Sequence, residues 1–508
     1  MTITTSLEPG AIASATSVSV KQKNEQNTAN LRPEIIVAIG QAQTGKTVTE
    51  NKLFYASGNA DDIGVTCGFG SPLHRMAKKL FPKAGNGSKV DTYFIVLEAP
   101  STAKEEIKTL TVKVQESIKK SFNGYFILND LIFEAAADVA AKVATNAHNN
   151  PAKAPRGIVL NSFEKTYIPF NLTKGMTAKE AAEALKEALE DYIELPFETA
   201  LGETDGSLVL TAKWKGSDSF FEFNITNEDE ENIDASIYGV SFETVRTQES
   251  SGIGSVTDET LALLNKELGV TRVISQYATT TVLDKLQEHF DAFHDGLIAQ
   301  YVICYSAIQA PESETNKGTW DITKLVEEGN KRKDDFVNVQ LVGDFKNLRK
   351  LEYREINKLV KAGYSYLLQK ADGSYKIMDL VSFYHPDNKT NPLFRYDRDI
   401  TAIGNITYHF MKMKEDEEWE SIILVGKNDL TTNPYARTLD DIKAKINSGI
   451  SYLGQAGLIA NYAEAQKNTK LEIDSINPNR ININPDFDLT GVGRIYDLTN
   501  FIGFNTKG

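Results

Sequence analysis

The sequence predicts a multidomain protein of mixed α/β and α+β class, and three stretches carry that prediction. Between residues 246 and 345, strand-like apolar runs alternate with helix-length amphipathic runs, the pattern of a parallel α/β layer. Between residues 100 and 242 the alternation gives way to long strand-like runs and Ala-rich helical segments, the texture of a separate α+β insertion. From residue 438 onward a capped helix, a strand, an Asn-Pro turn and an alternating tail succeed one another.

These textures divide the chain. Residues 1–32 are an extended N-terminal arm, 33–99 plus 243–345 an α/β domain, and 100–242 an inserted peripheral domain. Residues 346–493 are a C-terminal domain and 494–508 a C-terminal arm. At 508 residues the chain is too long for one compact domain.

The first 32 residues are rich in Ser, Thr, Ala, Asn and Gln, with few large apolar side chains, so they read as an arm rather than core. "PEIIVAIG" from Pro33 and "DTYFIVLEA" (91–99) are strands. Between them "GSPLHRMAKKLF" (70–81) places Leu73, Met76, Ala77 and Leu80 at helical spacing, giving a β-α-β opening. In the insertion, "LTVKVQES" and "GYFILNDLIFEA" are strand-like, "AAADVAAKVATNA" is helical and 148–157 is a Pro-punctuated loop. Thr177 and Glu180 form a capping box for a helix whose Leu185, Leu189 and Ile193 share one face. "SLVLTAKWKG" and "SFFEFNIT" are expected to pair as a hairpin.

Three helices (from Asp258, Thr281 and Trp320) then alternate with three strands, "VTRVISQY", "LIAQYVICYSAI" and "FVNVQLVG". A helix ends at Gly363, and Asp372-Gly373 centres a hairpin, because this dipeptide tolerates the positive φ angles of a tight turn. Near the end, Thr438 with Asp441 caps a helix that carries Ile442, Ile446 and Leu453 on one face and stops near Gly457. "TKLEID" (469–474) is a strand, "NPNR" (477–480) a turn, and Ile481, Ile483, Phe487 and Leu489 alternate. "RIYDLTNFIGF" (494–504) is a further strand-like run, for which a neighbouring subunit is a natural partner.

Composition narrows the function classes. The chain is 41% hydrophobic and 24% charged with a mean hydropathy of −0.32, as in ordinary globular proteins, and no apolar run reaches the length of a membrane span. The N-terminus lacks the basic start and apolar core of a secretory signal, so folding in a cytoplasm is expected. A net charge of −14, with acidic clusters at 227–232 and 415–420, argues against a nucleic-acid partner. Cys67 and Cys304 are the only cysteines and read as isolated, buried thiols.

The sharpest chemical motif is "GQAQTGKT", in which Gly40, Gly45, Lys46 and Thr47 fit the phosphate-binding pattern G-x-x-x-x-G-K-T after a strand. Such a loop must open a helix whose N-terminus faces the phosphate. The next residues, "VTENKLFYASGNADDIG", have no helical period, so the segment reads instead as a strand-turn-strand at the edge of the sheet. No G-x-G-x-x-G, G-x-S-x-G or metal-spaced histidine set occurs. His289 and His294 share a helix but sit about 140° apart around it. No catalytic residue, cofactor or metal ligand is therefore expected.

The C-terminal pieces "FKNLRKLEYREINKLVKAGYSYLLQKADGSYKIMDLVSFYHPDN", "RYDRDITAIGNITYHFMKM" and "GLIANY…LEID…NPNRININPDFDLTG…IYDLTNFIGF" resemble, in order and spacing, contractile phage tail sheath proteins, most closely the Mu-like branch and its relatives in phage-like injection particles. "IIVAIGQ" and "GFGSPLHRMAKKLF" look like the opening of that family.

The resemblance implies a non-enzymatic structural subunit that forms stacked hexameric rings around an inner tail tube protein, with baseplate and tail terminator proteins as further partners. It implies no nucleic-acid partner and no membrane insertion. It also implies a place in the virion tail after assembly in a host bacterial cytoplasm. The arms would add strands to neighbouring subunits through Ile3, Leu7, Ile12, Val18 and Val20 at one end and Ile495, Leu498, Phe501, Ile502 and Phe504 at the other. The competing readings are a P-loop nucleotide-binding protein and a non-contractile tail or baseplate component.

Overall fold

The structure is a computed structural model that describes residues 32–56, 58–81, 91–99, 101–128, 157–160, 163–216, 219, 221, 223–252, 255–277, 280–294, 302–304, 307–308, 340–341, 353–361, 365–369, 375–377, 381, 395–416, 419 and 422–491. The chain divides into two compact units, Pro33–Thr401 and a second formed by Met1–Arg32 with Ala402–Gly508. Residues 1–31 of the expected N-terminal arm and the C-terminal strand-like run lie outside the described residues, as do the Ala-rich helix at 135–147, the Trp320 helix and the Asp372-Gly373 turn.

The larger unit opens with β1 (Ile35–Gly40), β2 (Leu53–Tyr55), α1 (Ala60–Cys67), α2 (Pro72–Leu80) and β3 (Asp91–Val96). The β-branched run of β1 is buried on both faces, as a central parallel strand requires. β1 pairs β3 in parallel, while β2 pairs β3 antiparallel and forms the sheet edge. Ser71 caps α2 by accepting the His74 amide, and Leu73, Met76, Ala77 and Leu80 are all fully buried against Phe94 and Ile36. The expected β-α-β opening is present, with α1 as an addition that the glycine-interrupted sequence does not suggest.

The chain leaves and re-enters this layer through one paired gateway. Lys104 and Ser251 exchange backbone hydrogen bonds of 2.9 and 3.1 Å. Between them lie β4 (Ile107–Val114), β5 (Phe122–Leu128), β6 (Gly157–Leu160), β7 (Phe163–Leu172), α3 (Ala178–Glu190), β8 (Phe197–Leu201), β9 (Ser207–Ala212), β10 (Phe223–Asn227) and β11 (Val240–Gln248). Two antiparallel sheets result, in the orders β11-β4-β9-β8 and β10-β5-β7-β6. They share one core with α3, in which Phe126 meets Phe223 at 4.2 Å and Phe197 meets Phe221 at 4.6 Å between ring centres. Burying each such side chain contributes about 1.5–3 kcal/mol.

The capping box holds as expected, with Glu180 N–H donating to Thr177 Oγ1 at 3.3 Å and Thr177 N–H to Glu180 Oε2 at 2.8 Å. Leu185 and Leu189 are buried, whereas Ile193 lies in the turn beyond the helix. The hairpin expected between "SLVLTAKWKG" and "SFFEFNIT" does not form. β9 pairs β4 and β8, and β10 crosses to the other sheet to pair β5. The cause is Lys213–Gly216, which is diverted into contacts with the first layer, so the chain cannot turn back on itself there.

After the gateway come α4 (Asp258–Leu263), β12 (Arg272–Ser275), α5 (Thr280–Asp291), β13 (Ile303–Cys304), β14 (Ala307–Ile308), β15 (Gln340–Leu341), α6 (Tyr353–Lys361), β16 (Ser365–Gln369) and β17 (Tyr375–Ile377). β12 and β13 extend the first sheet in parallel to the order β13-β12-β1-β3-β2. The expected single strand "LIAQYVICYSAI" serves two sheets, since Ala307–Ile308 pairs β16 instead. Part of "FVNVQLVG" likewise leaves the parallel layer: Gln340–Leu341 is antiparallel to β17. β16 pairs β17 antiparallel, with Gln369 opposite Tyr375.

In the second unit, α7 (Asp397–Glu415) contributes its residues from Ala402 onward, followed by β18 (Ile423–Leu424), β19 (Ala436–Arg437), α8 (Leu439–Gln455), β20 (Ile459–Ala460), α9 (Tyr462–Asn468), β21 (Lys470–Ile473), β22 (Ile481–Asn484) and β23 (Asp488–Leu489). Thr438 and Asp441 form a capping box, Ile442, Ile450 and Leu453 are buried, and the helix ends before Gly457 at φ +75. Ile406, Leu453 and Ile459 make its small core.

Candidate functional site

The G-x-x-x-x-G-K-T loop leaves the C-terminal end of β1, the central strand, with β12 on one side and β3 on the other. In open α/β sheets this switch point is where ligands bind. A half-open cavity of about 160 Å³ lies there, lined among others by Gln41, Lys46, Glu50, Val96 and Lys215. Five amides between Gln41 and Val48 are already engaged within the protein. Gln41 N–H donates to Gln276 Oε1 at 2.5 Å, Gln43 N–H to Cys67 O at 2.8 Å and Thr44 N–H to Lys213 O at 2.7 Å. Lys46 N–H donates to Gln43 O at 3.1 Å and Val48 N–H to Lys46 O at 3.0 Å. Residues 46–52 are not helical, so the loop does not itself open a helix as a phosphate-binding loop must. The downstream strand is β2, at the sheet edge, although β3 and not β1 is its partner.

Beside the cavity, side chains of the loop tie it to other parts of the protein. Gln41 Nε2 donates to Lys215 O at 2.7 Å and to Tyr277 Oη, while Gln43 Nε2 donates to Glu198 Oε1 at 2.6 Å. From the two-sheet body, Lys213 Nζ donates to Phe69 O at 2.7 Å and Ile193 O at 2.6 Å. Burial pulls the Lys213 pKa down to about 8, opposed by the charges of Glu198 and Glu194. Gly70, at φ +80, lies so close to the 194–195 backbone that a Cβ would sit 2.3 Å from Leu195 O. Glycine is required there for both conformation and space. Nearby, Cys67 is buried, and desolvation pushes its thiol up to about 12, with Lys46 opposing.

Sequence spacing does not reveal a buried cluster on the same seam. Asp61, His74 and Glu194 place one ligand atom each within 4.8 Å of one another. Lys78 Nζ lies 2.7 Å from Glu194 Oε2, and His74 Nε2 lies 3.8 Å from Glu194 Oε1. The Gly70 N–H donates to His74 Nδ1 at 3.1 Å. With that lone pair engaged, the neutral ring carries its proton on Nε2, the nitrogen facing the carboxylates. A metal needs that nitrogen deprotonated, and Lys78 already supplies the cation, so the donor set suits an ion-pair knot better than a metal centre. The residues come from α1, α2 and the loop at 194, which explains why no sequence spacing links them. His289 sets Nε2 2.7 Å from Leu264 O, and His294 closes the turn after α5.

In the second unit β21 and β22 form a two-stranded ribbon, with Leu471 opposite Ile483 and Ile473 opposite Ile481. Among the described residues neither outer edge has a strand partner. Ile473, Ile476 and Ile483 are 42%, 91% and 37% exposed. The proposed strand-adding residues Ile3, Leu7, Ile12, Val18, Val20, Ile495, Leu498, Phe501, Ile502 and Phe504 all lie outside the described residues.

No family model matches the chain. No curated protein matches it either. Among solved structures, the sheath tail protein of Desulfitobacterium hafniense is similar over 90% of this chain and 93% of its own, at 10% identity and a TM-score of 0.38. A likeness at that level carries no argument about function. Among the described residues no helix is long and apolar enough to cross a membrane.

Proposed function

We propose that this chain is a structural subunit of a contractile tail sheath, without enzymatic activity. The observation that carries the reading is the ribbon β21–β22. A two-stranded ribbon is marginal on its own, and open strand edges with exposed isoleucines favour pairing with another chain. The order of the C-terminal sequence pieces, which resembles that of tail sheaths, agrees with it.

In this reading the arms at 1–32 and 494–508 of neighbouring subunits add strands to the ribbon. Such contacts are heterologous and do not close, so they build a helical stack of hexameric rings around an inner tube. Baseplate and terminator proteins bound the stack within a virion tail. Contraction draws on an extended state that is kinetically trapped and relaxes as subunits repack. The nucleotide-binding alternative loses its footing, because the loop amides at Gln41, Gln43, Thr44, Lys46 and Val48 already donate within the protein.

Electron microscopy of the purified protein tests the proposal. Tubes are expected from the full chain, and folded subunits without tubes from an Ile473→Lys, Ile483→Lys double variant. Full-chain protein that never forms tubes under any assembly condition, or normal tubes from the variant, would count against it.

A further inference from the structure

Helices α7 and α8 meet at Gly449. A Cβ built there would lie 2.6 Å from Met413 Sδ and 3.2 Å from His409 Nε2, so the close approach depends on glycine and the histidine ring fills the slot beside it. His409 is 6% exposed, and neither Nδ1 nor Nε2 has a hydrogen-bond partner among the described residues. The Phe410 and Tyr452 rings lie edge-on, 6.0 and 6.4 Å from it between ring centres. Among the described residues, the charged groups facing it are Lys445 of α8 and Asp416 just past α7, and these pair with each other at 2.6 Å. An imidazole placed this way is held neutral and packs as an aromatic spacer. An imidazolium would need two acceptors, and none is in reach among the described residues.

We propose that His409 is an acid-sensitive spacer whose protonation loosens the packing of α7 on α8 and so weakens the second unit as pH falls. Burial first, and then the Lys445 charge, hold its pKa below the ordinary value of about 6.5, with Asp416 opposing. Linkage sets the sign. Below about pH 6.5 the unfolded chain takes up a proton that the folded unit refuses, so stability falls with pH until the folded ring titrates. Within that window the folding equilibrium shifts by up to about tenfold per pH unit.

The effect belongs to the subunit itself and does not depend on polymerisation. The test is a denaturant or thermal unfolding series of the full chain from pH 8 to pH 5, run beside His409→Phe and His409→Gln. The wild type is expected to lose stability more steeply below pH 6.5 than His409→Phe, which keeps a ring but has no proton to take up. An NMR titration of the His409 ring in the wild-type protein gives an answer that survives any folding defect in the variants. It should show a midpoint below that of an exposed histidine. Parallel pH profiles for the wild type and both variants, or a His409 midpoint at or above the ordinary value, would overturn the proposal.

Discussion

Lys213 Nζ stands 2.7 Å from the carbonyl oxygen of Phe69, so a buried ammonium joins the two-sheet body to the turn between α1 and α2. Lys213→Met keeps the length but leaves the Phe69 and Ile193 carbonyls without this donor, at about 1–3 kcal/mol for each group left unsatisfied. The folded pKa of about 8 lies below the unfolded value, so the penalty for burying the charge is complete below pH 8 and lifts as pH rises toward 10.5. Wild-type stability should therefore rise relative to the variant between those values, as read from paired melts. A constant gap would show that the ammonium is not desolvated.

Gly70→Ala meets two obstacles, a φ of +80 and backbone carbonyls at 2.3 and 2.8 Å from the new Cβ. The conformation alone costs about 1–3 kcal/mol, and the carbonyls cannot yield without moving the 194–195 turn. A clear drop in the thermal midpoint is expected. Unchanged melting would mean that the 194–195 turn can move aside for the new Cβ.

Lys46→Ala should leave both folding and assembly intact, because the Lys46 amide, not its side chain, is the group engaged in the loop. Isothermal calorimetry with Mg-ATP should show no binding heat for either protein. Micromolar binding by the wild type that disappears in the variant would restore the nucleotide reading.

Thr177→Ala removes the oxygen that accepts the Glu180 amide at the start of α3. About 1 kcal/mol of stability should be lost, with Thr177→Ser recovering most of it. Chemical denaturation of the three proteins side by side checks the ranking.

The local signals in the sequence are strong wherever one face of one element decides the outcome. Thr177 with Glu180, Thr438 with Asp441 and the spacing of Leu73, Met76, Ala77 and Leu80 each specify a helix, and each helix is present. Pairing across sheets is less legible. "SLVLTA" and "FNIT" have the alternation of a hairpin, yet Lys213–Gly216 between them is held by Gln41, Thr44, Phe69 and Ile193, which no neighbouring residue announces. The Asp61–His74–Glu194 cluster is hidden for the same reason, being assembled from positions far apart in the chain. The P-loop pattern misleads in the opposite direction. Its glycines and lysine have the right spacing, but the meaning of such a loop lies in where its amides point.

The attachment of the two-sheet body at the end of β1 also sets a load path. A pull on that body, transmitted through Thr44 and Gln41, reaches the middle of the parallel sheet, where β1 is clamped on both sides by β12 and β3. Force along a strand held this way is opposed by two ladders of hydrogen bonds in shear, which must give way together. Had the same tether been fixed to the three-residue edge strand β2, it would face a single short ladder that opens one bond after another. The central anchorage therefore loads two ladders at once, where an edge anchorage would load one.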